Sequence, residues 1–494
     1  MYSWIHPFLL CLSFLLTTSL SSRATYYFNT ELETAYREIL ELKTNQATQR
    51  LKKEQQRDPL NGITIYLLSL SKTTQLIATE NIEQYEADKA EQSAYLKLLN
   101  RNDQSASPYH KFCLAEVRMQ WAFTKVRFND VAGAALDAKQ ALGLLNDNLK
   151  LCPSFVPTKK SLGLLNVVIG SIPSSYSWIA STLGFKGDVQ AGMTMIQEVI
   201  DSKSIYLQEA TLMKIIAEQY VLNKEANLES INLLRARYPD NILYTYMHAA
   251  ILSKYAQSEQ ALKIIETISD EDVHTYLPMI DYLHGELLLQ HGKYVACRIY
   301  FNRFLSTFKG KNLIKDTYFK LFLSYWLVND TPTAMDYWNT ITRVGQLVFE
   351  SDKYAQKIAS SNELPNKELT KIRLYTDGGL YTKGFEIFNL TNLSDFTSKK
   401  DKIEYYYRAG RLYQKSGKEL DCIPYYEKVI TLSTDQKNTY YFGPNAALQL
   451  GYINVKMKNT ERAKYYFNLA IAYKNHEYEN SIEQKAKVAL TEIK

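Results

Sequence analysis

The chain has 494 residues, 46% of them hydrophobic, with 58 Lys plus Arg against 52 Asp plus Glu and a formal net charge of +6. Opposite charges are interspersed along it, which excludes the basic stripe of a nucleic-acid binder and the like-charged block of a disordered tail. Only 19 Gly and 12 Pro punctuate the sequence, and strand-like alternation between turn signals is scarce, so an all-α protein is expected.

Residues 1–24 read as a cleaved signal peptide. Phe8 to Leu20 form a mostly apolar run of 13, followed by small residues at Ser22 and Ala24 that offer a cleavage point before Thr25. A run of that length falls short of the roughly 20 residues a membrane span needs. The expected location is therefore outside the cytoplasm, periplasmic or envelope-associated if the host is bacterial. No other stretch is long and apolar enough to predict a transmembrane span.

Residues 25–150 read as degenerate helical hairpins. Thr30-Glu31-Leu32-Glu33 predicts a helix start with an acidic first turn, continuing through Leu51 and closed by Pro59 and Gly62. A second helical region runs from Ile63 to Leu99 with a break near Thr79. Ser107-Pro108 opens a hairpin, Tyr109 to Val126 and Asp130 to Leu145, whose turn is Arg127-Phe128-Asn129. The basic pairs Lys52-Lys53 and Lys159-Lys160 read as solvated helix faces.

Residues 151–200 form an apolar helical junction. Leu162 to Pro173 is strongly apolar, and Tyr176, Trp178, Ile179, Leu183 and Phe185 follow it. Two readings compete: a buried helix pair joining two halves, or an apolar surface that lines or plugs a cavity for an apolar or lipid ligand or meets a membrane.

From residue 201 to the end a repeat emerges. Gly410 aligns with Gly451, Cys422 with Ala463, Tyr426 with Phe467 and Val429 with Ala470. Further copies start at Ala249 (with Ala261, Ile265), Gly285 (with Cys297, Phe301) and Phe322 (with Ala334, Trp338), and residues 366–390 fit an irregular unit around Asp377-Gly378-Gly379. A small residue in one helix facing a bulky one in the next is what two closely packed antiparallel helices require. Units are expected near 242–275, 278–311, 315–348, 366–390, 403–436 and 444–477.

This pattern resembles the tetratricopeptide repeat, which implies a right-handed α-solenoid of antiparallel helix pairs with an irregular N-terminal half. The segment Gly184-Phe185-Lys186-Gly187-Asp188, with Gly192 following, resembles a signature of the tetratricopeptide-repeat protein 39 family. That family is adaptor-like, with roles linked to lipid homeostasis and protein turnover, so the resemblance implies an interaction protein without catalytic residues. The layout also resembles long secreted bacterial repeat proteins.

Chemistry-bearing motifs point the same way. No GxxxxGK[ST], GxGxxG, HExxH or GxSxG occurs, and seven His are present in all. Cys113, Cys152, Cys297 and Cys422 form no CxxC pair and have no His at zinc-ligand spacing, and Cys297 and Cys422 fall at close-contact repeat positions. No catalytic residue, cofactor or metal is expected. In the repeat family the first helix of each unit lines a concave face; carried onto this chain, the resemblance places Tyr246, Tyr282, Glu286, Phe319, Trp326, Tyr407, Arg411, Leu448 and Tyr452 in a groove for a protein or peptide partner.

Overall fold

A computed structural model describes residues 25–493, apart from 102–106, 173–183, 185, 223–227, 269–275, 362 and 434–439. Residues 1–24, expected to be a signal peptide, and Tyr176, Trp178, Ile179, Leu183 and Phe185 lie outside the described residues. Among the described residues every regular element is helical, and one isolated bridge joins Thr25 to Asn61. None of these helices is long and apolar enough to cross a membrane.

The N-terminal part contains α1 (Thr30–Leu40), α2 (Thr44–Arg57), α3 (Gly62–Thr79), α4 (Ile82–Asp88), α5 (Glu91–Asn100), α6 (Pro108–Arg127), α7 (Val131–Leu151) and α8 (Val156–Gly170). The single helix expected from Thr30 to Leu51 is two, because Leu42 adopts a left-handed conformation with φ 58°. The region from Ile63 to Leu99 breaks at Glu80, also left-handed, as expected, and again between α4 and α5. Pro108 begins α6 as anticipated, although the Ser107 side chain makes no capping bond. Lys160 overturns the expectation of a solvated face: it is fully buried and bonds Glu116 at 2.9 Å and Glu209 at 2.8 Å. Lys52 and Lys53 are exposed.

The junction pairs α8 with α9 (Val189–Asp201). Here the glycine motif has a packing role. A Cβ on Gly192 would lie 2.6 Å from the Gly163 carbonyl oxygen, and one on Gly187 would lie 2.2 Å from the Gly170 nitrogen. Asp188 caps α9 by accepting from the Ala191 N–H. Glycines therefore let two helices cross with their backbones in contact.

Beyond α10 (Leu207–Ile216) and α11 (Glu229–Arg237), hairpins follow in succession: α12 (Ile242–Lys254) with α13 (Ser258–Ile265), α14 (Met279–Gln290) with α15 (Tyr294–Thr307), and α16 (Ile314–Trp326) with α17 (Thr331–Ile341). A lone helix, α18 (Glu350–Ser361), precedes α19 (Lys367–Gly378) with α20 (Tyr381–Leu390), α21 (Lys399–Lys415) with α22 (Glu419–Leu432), and α23 (Phe442–Lys456) with α24 (Thr460–Ala472). The last helix is α25 (Glu479–Glu492). Neither α18 nor α25 was expected from the repeat pattern, because neither has a partner helix at repeat spacing.

Hairpin turns share one device. Ala256, Gly292, Asn329, Gly379, Gly417 and Lys458 all have positive φ between the two helices of a unit, and Gly and Asn tolerate that conformation best. Interlocking is as the sequence demanded. A Cβ on Gly285 would meet the Phe301 ring at 2.8 Å, one on Gly410 the Tyr426 ring at 2.7 Å, and one on Gly451 the Phe467 ring at 2.4 Å. Cys297, Cys422, Ala261, Ala334 and Ala463 are fully buried at the matching positions. Neighbouring units thus bury their apolar faces in a series of clusters joined by half-buried residues such as Tyr354 and Tyr413, a solenoid of stacked helix pairs.

Distant parts of the chain also touch. The Asn241 amide donates to the Leu40 carbonyl at 3.0 Å, Asn312 to the Arg127 carbonyl at 3.2 Å, and Gln484 to the Ser171 carbonyl at 2.8 Å. These contacts tie the N-terminal helices to the C-terminal units.

Candidate functional site

The interior holds a cavity with two adjoining lobes of about 430 and 380 Å³. First helices of successive units build its wall. Helix α14 presents Tyr282, Glu286 and Gln290, four residues apart and so on one helix face; α16 adds Asp316, Phe319 and Lys320; α19 adds Arg373 and Asp377. Tyr407, Arg408 and Arg411 come from α21, Asn445 and Gln449 from α23, and Lys485 from α25. The second lobe is completed by Tyr246 and Lys254 of α12 and by Lys415 of α21.

Charge dominates this wall. Lys320 bonds Asp316 at 2.8 Å and Glu286 at 3.0 Å, and both contacts together outweigh burial, holding its ammonium above the ordinary lysine range. Tyr282 donates to Asp316, and burial followed by that carboxylate pushes the phenol well up, so it stays neutral. Arg408 bonds Glu404 at 2.6 Å and the Tyr441 hydroxyl at 3.0 Å. Arg411 reaches Asp377 at 3.5 Å, and Asn445 donates to the Tyr407 hydroxyl at 2.6 Å. The described lining contains neither His nor Cys. Forked Arg, ammonium, amide and phenol groups in a half-open cavity suit recognition of a polar ligand through charge-assisted hydrogen bonds.

Of the residues expected in the groove, Tyr246, Tyr282, Glu286, Phe319, Tyr407 and Arg411 border the cavity. Phe319 and Tyr407 are buried to 3% and 2% exposure, so they act chiefly as its floor. Leu448 does not border the cavity: at 1% exposure it packs into the core of the last units. Trp326 also points elsewhere, donating to the Pro365 carbonyl at 2.9 Å and stacking on Phe322. Tyr452 turns its ring edge onto Phe467, at 5.3 Å between centroids. Trp326 is engaged by Pro365 and Lys367 at the start of α19, and Leu448 shares its core with Ile482 and Ala486 of α25.

Sequence reasoning missed Lys254, Arg373, Arg408, Lys415 and Lys485. Part of the signal was available, since Arg408 and Lys415 lie three and four residues from Arg411 on one face of α21. Lys485 carried none, being on a helix outside the repeat.

A second concavity is apolar. About 340 Å³ in volume, it lies between α6, α7 and α8 and is lined by Met119, Phe123, Val126, Leu165, Val168 and Leu347. It includes part of the apolar stretch singled out in the sequence. Among the described residues no group of three or more His, Cys, Asp or Glu is placed to hold a metal ion.

Comparison with known proteins adds the following. Residues 156–367 match the family model Iml2/Tetratricopeptide repeat protein 39, and residues 403–436 match the model Tetratricopeptide repeat. No curated protein sequence matches. Among solved structures, a tetratricopeptide repeat protein from Parabacteroides merdae is similar at 17% identity, with 60% of this chain and 98% of that one covered and a TM-score of 0.23. The APC/C hetero-tetramer Cut9-Hcn1 is similar at 12% identity over 94% of this chain and 97% of that one, with a TM-score of 0.26.

Proposed function

We propose that this chain, a protein of the tetratricopeptide-repeat superfamily that resembles the tetratricopeptide repeat protein 39 family, is an exported, non-catalytic scaffold that holds a protein or peptide segment in its inner cavity. Repeat scaffolds of this kind generally mediate protein interactions. The observation that carries the reading is the convergence of first helices from successive units on a polar wall of Tyr, Arg, Lys and carboxylate side chains. Tyr246, Glu286 and Arg411 supply the half-exposed contact groups, and the buried aromatics supply a rigid base.

Testing uses a photo-crosslinking residue placed at Gln290 of the full chain expressed in its own host. Cross-linked peptides should map between Tyr246 and Arg411 on the inner face. The same partner should be lost from Glu286→Ala/Arg411→Ala protein whose helical circular dichroism is unchanged. Undiminished capture by that variant rejects the assignment. Detection of the mature chain beginning at Thr25 in the envelope fraction tests export; retention of residues 1–24 rejects it.

The apolar concavity beside α8 favours a second reading, a carrier of an apolar or lipid ligand. Native mass spectrometry of protein purified from its host should then show bound lipid, lost on Val168→Asp substitution. Clean unliganded spectra exclude this role.

A further inference from the structure

The cavity wall carries positive charge that the segment-binding reading leaves unused. Arg411 borders both lobes, with Lys254 and Lys415 on one side and Lys485 on the other. Lys254 and Lys485 are 231 residues apart in sequence, yet the solenoid brings the end of α12 and the middle of α25 within electrostatic reach of α21. Of the other cations of the wall, Lys320 is neutralised by Asp316 and Glu286 and Arg408 by Glu404, while Arg373 donates to the Tyr354 hydroxyl at 3.4 Å. Among the described residues no carboxylate stands within ion-pair distance of Lys415 or Lys485, and the Lys254 ammonium donates to the Gln219 carbonyl.

Among the described residues, groups facing the cluster offset it only in part, and Asp377 attracts Lys415 as well as Arg411. Helix α19 offers Asp377, held by Arg411, and α14 offers Glu286, held by Lys320. Helix α23 offers the neutral amides Asn445 and Gln449 and, further out, Lys456, itself tied to Glu419. Mutual repulsion is felt at each lysine. Burial and then Lys485 and Lys415 pull Lys254 down to about 8; burial and then Arg411 pull Lys415 down to about 8; burial and then Arg411 lower Lys485. Like charges gathered in a half-enclosed space are relieved when an anion binds the folded state.

We propose that Lys254, Arg411, Lys415 and Lys485 form a site for a compact, multiply charged oxyanion of the phosphate class, which ties α12, α21 and α25 together. A phosphate or diphosphate group accepts from several ammonium donors and an Arg fork at once, whereas a single carboxylate satisfies one fork. Lobes of about 430 and 380 Å³ admit such a group alone or as part of a phosphorylated small molecule. The site shares Arg411 and the cavity with the segment-binding reading but needs no protein partner, so phosphate binding and segment capture can fail independently.

The experiment is calorimetric titration of the full chain with sodium pyrophosphate, inorganic phosphate and glycerol 3-phosphate at constant ionic strength, alongside thermal melting. Pyrophosphate is expected to bind and to raise the melting temperature. Lys415→Gln/Lys485→Gln protein should bind it about a hundredfold more weakly, since each of the two lost charge-assisted contacts is worth about tenfold. Without ligand the double variant should melt no lower than the parent, because the removed charges repel. Tighter binding of glycerol 3-phosphate identifies an esterified phosphate as the ligand, and tighter binding of pyrophosphate a free one. Equal binding by parent and double variant overturns the proposal. So does stabilisation matched by chloride, binding of an oligoglutamate peptide but not of any phosphate, or a lower melting point of the ligand-free variant.

Discussion

Gly451→Ala tests the interlock on which the repeat rests. The added methyl carbon would lie 2.4 Å from Phe467 Cε1 and 2.6 Å from Cδ1, well inside carbon–carbon contact distance. Phe467 is fully buried, with Tyr452 edge-on to it, so its ring moves only by disturbing the core between α23 and α24. Alanine gains about 1 kcal/mol over glycine in a helix, and overpacking costs about 1–3 kcal/mol. A net loss of roughly 1 kcal/mol from the last unit follows. Phe467→Leu alone should cost about 1 kcal/mol through lost packing. Combined, leucine vacates the space that alanine needs, so the double variant should be more stable than the sum of the singles by about 1–2 kcal/mol. Because repeat arrays open unit by unit, hydrogen exchange across residues 442–472 should accompany denaturation followed by circular dichroism. Strictly additive energies, or a Gly451→Ala protein stabilised by its full helix-propensity gain, would refute the close-contact argument.

Lys160→Met leaves Glu116 and Glu209 facing each other without their buried cation. It should cost roughly 3–5 kcal/mol at neutral pH. Burial already raises the Glu116 carboxyl, and its protonation relieves the variant, so the deficit should shrink as pH falls; a melting temperature equal to the parent's refutes this. Native protein should react with a thiol reagent first at Cys152, which is partly exposed. Cys113, Cys297 and Cys422 are buried, and burial pushes the latter two up to about 12, so early labelling of any of these three counts against the packing. For Lys415, the folded value of about 8 lies below the ordinary 10.5, so the folded state resists the proton. That penalty is complete below about pH 8 and fades toward 10.5. Lys415→Gln should therefore raise the melting temperature more at pH 7 than at pH 10, and an equal effect at both contradicts the repulsion.

Local patterns made much of the fold legible. Gly410, Cys422 and Tyr426 repeat as Gly451, Ala463 and Phe467, and each glycine indeed receives the ring of its own unit's second helix. Gly187 and Gly192 were recognisable as a motif, though only the crossing of α8 and α9 shows that they admit a neighbouring backbone. Part of the cavity wall was readable for the same reason: Tyr282, Glu286 and Arg411 occupy fixed positions on first helices.

The sequence by itself determined the helical class, the repeating units and their close-contact residues, because helix periodicity and small-to-bulky packing act over neighbours within some forty residues. Only the tertiary structure decided that Lys160 is an interior charge, that Leu448 belongs to the core, and that Lys254, Arg411, Lys415 and Lys485 share one space. Lys160 is buried by the packing of α6, α8 and α10, whereas the shared space of Lys254, Arg411, Lys415 and Lys485 depends on the accumulated turn of the solenoid and on α25. Small rotations at each unit add up to bring residues hundreds of positions apart into reach, and no local pattern encodes their sum.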